Sequence, residues 1–471
     1  MSKSQLKAGY LFFLMSIAIA VPHAGHADVA SALNEKDRER IDQAVQEVLD
    51  ETGAPGASLA VIKDGHIAYL KAYGNARLDP AEASQTSMRY SIGSVSKQFT
   101  ATALLMLAEQ GKLSMQDRVA KFIPDLTRAD EVSIRQLLSH TSGYRDYWPQ
   151  DYVPPAMLEE ISADTILDAW ARKPLDFDPG TKWQYSNTNY IIAGIIVEKA
   201  SGMTLMQFLS ANMFEPLGMK SALDIDQNLL AETDAHGYRS FALGPLRVAP
   251  KEGKGWLFAT GQLAMTAEDL ARWDIAMIES RLLKPSSYKA MQTDVLLNSG
   301  VGTRYGLGIG VTSRNGRRVL EHGGEVSGFV TKNIVFPDDR AGIVVLVNQI
   351  ASNAPSKIAK EIEPLLFADS DVAGHEAKAR SIFEDLQKGT IDRSLFTENA
   401  NFYFNEQALQ DFSASLAPLG NPDEFTHTRQ STRGGMTYHG YKVKFPERTL
   451  EIATFEMPDG KIEQFQVFVS D

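Results

Sequence analysis

A chain of 471 residues exceeds what one ordinary hydrophobic core organises, so two folded domains are expected. With 44% hydrophobic and 23% charged residues it has the composition of a soluble globular protein, and a formal charge of -12 argues against nucleic acid as a partner, since phosphate binding needs a basic face. There is no cysteine, which excludes disulfides, a thiolate nucleophile and Cys-ligated zinc or iron–sulfur centres.

At the start, Lys3 and Lys7 precede an apolar run over 10–21, Pro22 breaks it, and Gly25-His26-Ala27 places small residues where a signal peptidase cuts. The run is shorter than the roughly 20 residues a membrane span needs. Residues 1–27 therefore read as a signal peptide, with an uncleaved anchor as the other reading. The mature chain is expected to be exported, periplasmic or secreted, with no stable membrane span after cleavage.

Residues 35–52 carry Ile41, Val45 and Val48 at helical spacing. The stretch 56–74 reads as a hairpin turning through Asp64-Gly65. From 94 to 291 helical patterns dominate, interrupted by Pro and Gly loops. Strand signals return at 305–311 and 317–321 across Asn315-Gly316, then at 330–336 and 343–348 around Pro337-Asp338-Asp339-Arg340. Strands at both ends with helices between predict an α+β domain over 28–367: an antiparallel sheet flanked by helices, with an inserted helical region. The small, polar residues 368–374 read as a linker. Beyond them, 375–471 read as a smaller α+β C-terminal domain, with helices over 377–387 and 406–416 and strands over 425–430, 436–445, 449–455 and 461–469. That order resembles the nuclear transport factor two-like cone. The C-terminal domain shows no catalytic set, and its expected roles are substrate docking or assembly, a homodimer among them.

Ser94-Val95-Ser96-Lys97 runs from a polar turn into a helix predicted over 99–110. With Ser94 at the helix start, Lys97 lies one turn on and on the same face, and a free backbone N–H points outward, suited to an oxyanion. The tetrapeptide alone means little; a helix-capping serine with a solvated lysine is its common form. Downstream, Tyr185-Ser186-Asn187 precedes an apolar helix over 190–199. Tyr185 can act as a base if nearby cations lower its pKa from about 10, and the Asn187 amide can hold both Lys97 and a substrate acyl carbonyl. A third element is Glu321-His322-Gly323-Gly324-Glu325, whose glycines let backbone approach a ligand closely.

In order and spacing, these three motifs resemble those of the class C β-lactamase and penicillin-binding-protein family of serine hydrolases. Flanking runs match too: Leu137-Leu138-Ser139-His140-Thr141-Ser142-Gly143, Phe214-Glu215-Pro216-Leu217-Gly218-Met219 and Thr266-Ala267-Glu268-Asp269-Leu270. The resemblance covers about 41–366 and implies a β-lactamase/DD-peptidase-like fold. It implies that Ser94 attacks an acyl carbonyl, that Lys97 and Tyr185 share the proton work, and that Asn187, His322, Gly323 and Gly324 bind substrate. It also implies an oxyanion hole from the backbone N–H groups of Ser94 and Glu325. Which of Lys97 and Tyr185 is the acylation base stays open, because such a pair titrates as a unit.

The third motif departs from the family's usual Lys-Thr-Gly or Lys-Ser-Gly. Here a histidine and a glycine replace the cation and hydroxyl that help bind a substrate carboxylate, and histidine is mostly neutral at pH 7. Family members with His or Trp at this place include esterases, amidases and D-amino-acid peptidases. The expectation is a hydrolase that forms an acyl-enzyme on Ser94 and cleaves small-molecule or peptide esters, amides or D-amino-acid peptides. The alternatives are a β-lactamase or D-Ala-D-Ala carboxypeptidase, and a non-catalytic binder or sensor of cell-wall fragments. No cofactor is expected. His140 reads as packing beneath the site. His66, His236, His375, His427 and His439 read as scattered without ligand spacing, so no metal is expected.

Overall fold

The computed structural model describes residues 33–148, 154–314 and 316–470; the expected signal peptide lies outside them. Helix α1 (Glu35–Thr52) starts at Asn34, whose side chain accepts the Asp37 N–H at 2.8 Å, and stops at Gly53 with φ 69°. Its Ile41, Val45 and Val48 form one buried stripe. Strands β1 (Gly56–Lys63) and β2 (His66–Leu78) make the expected hairpin, with Asp64 and Gly65 both at positive φ.

With β3 (Ala81–Ala83), β4 (Gly310–Arg314), β5 (Arg317–Val326), β6 (Phe329–Phe336) and β7 (Ala341–Val347), these build one seven-stranded sheet in the order β3-β2-β1-β7-β6-β5-β4. Every pairing is antiparallel, and β1 meets β7 with Leu59 opposite Val345, which joins the two ends of the domain. Side chains alternate across the sheet, so β1 and β7 feed two cores. Leu59, Val61, Ile343 and Val345 pack with α1 and the later helix α5 (Ala354–Gln387); Ala60, Ile62, Val344 and Leu346 face the inserted helices. The chief inserted helices are α2 (Ser96–Glu109), α3 (Asn187–Ser201) and α4 (Ala267–Ile278). Helix α2 is buried at every position from Ser96 to Leu107, as an all-round apolar helix must be, and Phe99 lies 4.2 Å from Trp273 of α4 between ring centroids.

Two sequence expectations change. Residues 368–374, read as a linker, continue helix α5 (Ala354–Gln387) without interruption. Propagating a helix costs far less than starting one, so small polar residues between two strong helical stretches extend it. The strand expected over 305–311 is confined to β4; only a single bridge joins Tyr305 to Gly310. Gly308 has φ 80°, and a Cβ there would stand 2.9 Å from Lys97 O, so this segment is a turn pressed against α2.

The C-terminal domain contains α6 (Glu398–Tyr403), α7 (Glu406–Leu416) and a four-stranded antiparallel meander of β8 (Glu424–Arg433), β9 (Met436–Lys444), β10 (Thr449–Glu456) and β11 (Ile462–Val469). Its own core joins Phe383 and Leu386 of α5 to Phe425, Val443, Ile452 and Phe465. Among the described residues no single helix is long and apolar enough to cross a membrane.

Candidate active site

A short 3-10 turn, Gly93–Val95, delivers Ser94 to the start of α2. It is anchored by the Ile92 N–H, which donates to Leu263 O at 3.0 Å. One turn on, Lys97 is wholly buried. Its Nζ lies 3.1 Å from Ser94 Oγ, 2.8 Å from Asn187 Oδ1 and 2.8 Å from the Thr260 carbonyl oxygen. Burial pushes its pKa down to about 7, against the opposing pull of Asp146.

Asn187 opens α3 and is fixed from the other side by Asp146, whose Oδ1 accepts the Asn187 backbone N–H at 2.8 Å and whose Oδ2 accepts its Nδ2 at 3.2 Å. Burial lifts the Asp146 carboxyl to about 6. Sequence reasoning missed Asp146. Its only signal is an acid inside the aromatic run Tyr144-Arg145-Asp146-Tyr147-Trp148, directly after the recognised flank ending at Gly143.

Tyr185 packs its ring 5.0 Å from Lys97 Nζ and 4.3 Å from the His140 ring. Its phenol is buried with no hydrogen-bond partner of standard geometry; burial raises its pKa, and Ser94 opposes the rise. His140 is wholly buried, and its Nδ1 accepts the Ser186 N–H at 3.1 Å, which puts its proton on Nε2. Burial keeps it neutral, as a packing residue beneath Tyr185.

The strand β5 runs through the third motif. His322 Nδ1 lies 2.6 Å from Gly323 O and therefore donates; Nε2 then accepts from the Tyr305 hydroxyl at 2.8 Å. Burial, reinforced by Lys97, lowers the ring's pKa to about 4, which favours this neutral imidazole. Tyr305 is a second neighbour that sequence reasoning placed only in a strand. Gly324 crosses the nucleophile turn so closely that a Cβ would stand 1.9 Å from Ile92 O and 3.1 Å from Ser94 N; one on Gly93 would stand 2.7 Å from Glu325 N. The backbone nitrogens of Ser94 and Glu325 thus both lie at this crossing of the nucleophile turn and β5.

Ser94, Tyr185, Asn187, His322, Gly323, Gly324 and Glu325 all line one cavity of about 470 Å³, with Asp146, Trp148, Leu257 and Lys332 among its other walls. Among the described residues lining it, Lys332 is the only lysine or arginine, and its ammonium is paired with Glu321.

The structure also overturns one sequence reading outside the cavity. His375, His427 and His439, expected to be scattered, lie together in the C-terminal domain.

The β-lactamase family model matches residues 41–363. Penicillin-binding protein 4* of Bacillus subtilis (strain 168) is 28% identical over 395 residues, 80% of this chain and 85% of that protein. Among solved structures, a D-stereospecific amidohydrolase from Streptomyces sp. aligns with TM-score 0.59 at 25% identity, over 68% of this chain and 97% of its own. An octameric penicillin-binding protein homologue from Pyrococcus abyssi aligns with TM-score 0.62 at 21% identity, over 92% of this chain and 97% of its own, which places the C-terminal domain within the likeness of fold.

Proposed function

Since the chain belongs to the β-lactamase family, we propose that it is an exported serine hydrolase that forms an acyl-enzyme on Ser94 and cleaves esters, amides or D-amino-acid peptides. The observation that carries the reading is the set of partners around Lys97. Two of them, Asn187 Oδ1 and Thr260 O, are carbonyl oxygens and accept only. A neutral amine gives its two N–H bonds to them and keeps its lone pair for the Ser94 hydroxyl proton. Burial brings Lys97 to about 7, so the neutral form is available near neutral pH.

In this mechanism Ser94 Oγ attacks the acyl carbonyl as its proton passes to Lys97. The backbone N–H groups of Ser94 and Glu325 hold the oxyanion, and the Asn187 amide orients the acyl group. The leaving group departs with a proton relayed from Lys97 through Tyr185. A water then attacks the ester on Ser94 as Lys97, neutral again, takes its proton through the Tyr185 phenol, and that proton returns to Ser94 Oγ as the acid is released.

The substrate class follows from what the cavity offers a carboxylate. His322 is neutral and Lys332 is already paired, so a carboxylate beside the scissile bond finds no free cation among the described lining residues. The amidohydrolase likeness supports the same direction. Labelling the purified chain with a fluorophosphonate, followed by peptide mass mapping, tests the proposal. An adduct on Ser94 that disappears in Ser94→Ala, together with loss of esterase activity, is expected. An unlabelled Ser94, or full activity in Ser94→Ala, would end the catalytic reading.

A further inference from the structure

The C-terminal domain holds a cluster that the hydrolase chemistry does not use. His375 stands on α5, His427 on β8, His439 on β9 and Glu456 at the end of β10. One nitrogen of His375, one of His439 and a carboxylate oxygen of Glu456 all lie within 4.8 Å of one another. The rings of His375 and His439 are 4.1 Å apart between centroids, inclined by 32°. His375 Nδ1 is 3.5 Å from Glu456 Oε2. That is close to the roughly 3.3 Å spacing of two donors each bound at about 2.0–2.1 Å to one tetrahedral ion.

A second observation points to a ligand. His439 is only 1% exposed, and its Nε2 has no hydrogen-bond partner. Leaving such an atom buried and unpaired carries an uncompensated desolvation cost. Its other nitrogen, Nδ1, lies 3.2 Å from His427 Nε2. When His439 Nδ1–H donates there, Nε2 is left as a bare, buried lone pair. Metal-bound histidines adopt this arrangement, one nitrogen on the ion and the other N–H held by an acceptor behind it.

We propose that His375, His439 and Glu456 bind a divalent transition-metal ion of the zinc type, with His427 orienting His439. Two imidazoles and one carboxylate suit such an ion and leave a fourth position for water. Thiolate ligands are impossible in a chain without cysteine, which leaves imidazole and carboxylate as the natural donors for such an ion. Lys378 Nζ sits 3.2 Å from Glu456 Oε2 and also donates to Gly460 O. It can keep one carboxylate oxygen while the other turns to the ion, and its charge sets a limit on affinity. Because His375 rides on the helix that joins the two domains, the ion fastens α5 to β9 and β10. The cluster lies beyond the 41–363 match and is independent of the Ser94 chemistry.

The test uses the full mature chain without a histidine tag, stripped with a chelator. Zinc is titrated in competition with a chromophoric chelator, and cobalt(II) is followed by visible absorption. One equivalent should bind, cobalt should show the intense bands of a tetrahedral site, and zinc should raise Tm. Because His439 belongs to the core, the primary variant changes the two part-exposed ligands, His375→Gln with Glu456→Gln. It should keep the parent's circular dichroism and fluorophosphonate labelling while binding zinc about 100-fold or more weakly. Equal zinc affinity in parent and variant, or only the pale spectrum of aqueous cobalt with the parent, would overturn the site.

Discussion

Asp146 grips Asn187 at two points, accepting its backbone N–H at 2.8 Å and its side-chain Nδ2 at 3.2 Å, so the Asn187 amide oxygen is turned onto Lys97. A buried carboxylate thus reaches the buried amine through one amide. Removing it releases the amide and withdraws the charge that raises the Lys97 pKa. Asp146→Ala is predicted to lower kcat/KM by about 10- to 100-fold and to move the acid limb of its pH profile to lower pH. Both are read from kcat/KM against pH with a neutral ester. An unchanged acid limb would separate Asp146 from the Lys97 proton, whatever the loss in rate.

The parent's own profile identifies the acylation base. In the proposed mechanism Lys97 acts as the neutral amine, and burial places its pKa at about 7. Activity should therefore rise through about pH 7 and level off. Tyr185 is pushed up by burial, so a phenolate base would give a rate still climbing beyond about pH 9. Steady-state rates corrected for buffer hydrolysis decide between them, and a profile without a plateau counts against Lys97.

The close crossing at the oxyanion position makes Gly324 more sensitive than its neighbour. A Cβ on Gly324 would collide with Ile92 O at 1.9 Å, whereas one on Gly323 meets nothing nearer than Thr331 O at 3.6 Å. Gly324→Ala must part β5 from the nucleophile turn, separating the Ser94 and Glu325 N–H groups. It should lower kcat by about 100-fold or more, in line with loss of an oxyanion donor. Gly323→Ala should cost less than about 10-fold. Comparable kcat values for the two variants, at matched thermal stability, would contradict the assignment.

The four candidate residues Ser94, Lys97, Tyr185 and Asn187 are legible in the sequence because they sit in ordered local motifs. Ser94 and Lys97 share one helical turn, and Tyr185 and Asn187 adjoin the start of α3. Asp146 is not legible, since its meaning lies in a partner on another element, with no periodicity linking them. The same holds for Tyr305, which reaches His322 only because Gly308 turns the chain against α2. The histidine cluster is hidden for a related reason: His427 reaches His439 only through the register of β8 and β9, and His375 only through docking of α5 on that sheet. The supposed linker shows the opposite failure. Composition suggested irregular chain, while helix on both sides carries α5 through it.

Below α2, a buried chain of polar groups gives a stability prediction. Asn333 Nδ2 donates to Asp274 Oδ2 at 2.6 Å, and Gln98 Nε2 donates to Asn333 Oδ1 at 3.2 Å. Asp274 is wholly buried, its other oxygen has no partner, and burial raises its carboxyl well above the usual range. Between the unfolded value near 3.9 and that raised pKa, the folded state keeps a proton the unfolded state has released, so stability falls as pH rises. Asp274→Asn removes this dependence while preserving shape. At about pH 8 the variant should melt about 2–4 °C above the parent. The gap should close as pH falls below about 4, where the unfolded state also comes to hold the proton. A gap independent of pH would show that Asp274 does not titrate on unfolding.

The neutral third motif predicts substrate preference. His322 gives its N–H to Gly323 O and accepts from Tyr305, so it has no proton to offer a carboxylate, and Lys332 is paired with Glu321. A hydrogen bond to a charged group contributes about 1.5–3 kcal/mol, so a carboxylate left without one forfeits about 10- to 100-fold in rate while still being desolvated. An N-acyl-D-Ala-D-Ala peptide and its C-terminal amide differ only in that charge. The amide is expected to have the higher kcat/KM by at least about 10-fold, with nitrocefin, which carries a carboxylate, also turned over poorly. Preference for the free acid would mean that a cation reaches the site during binding, and that a carboxypeptidase or β-lactamase is the better description.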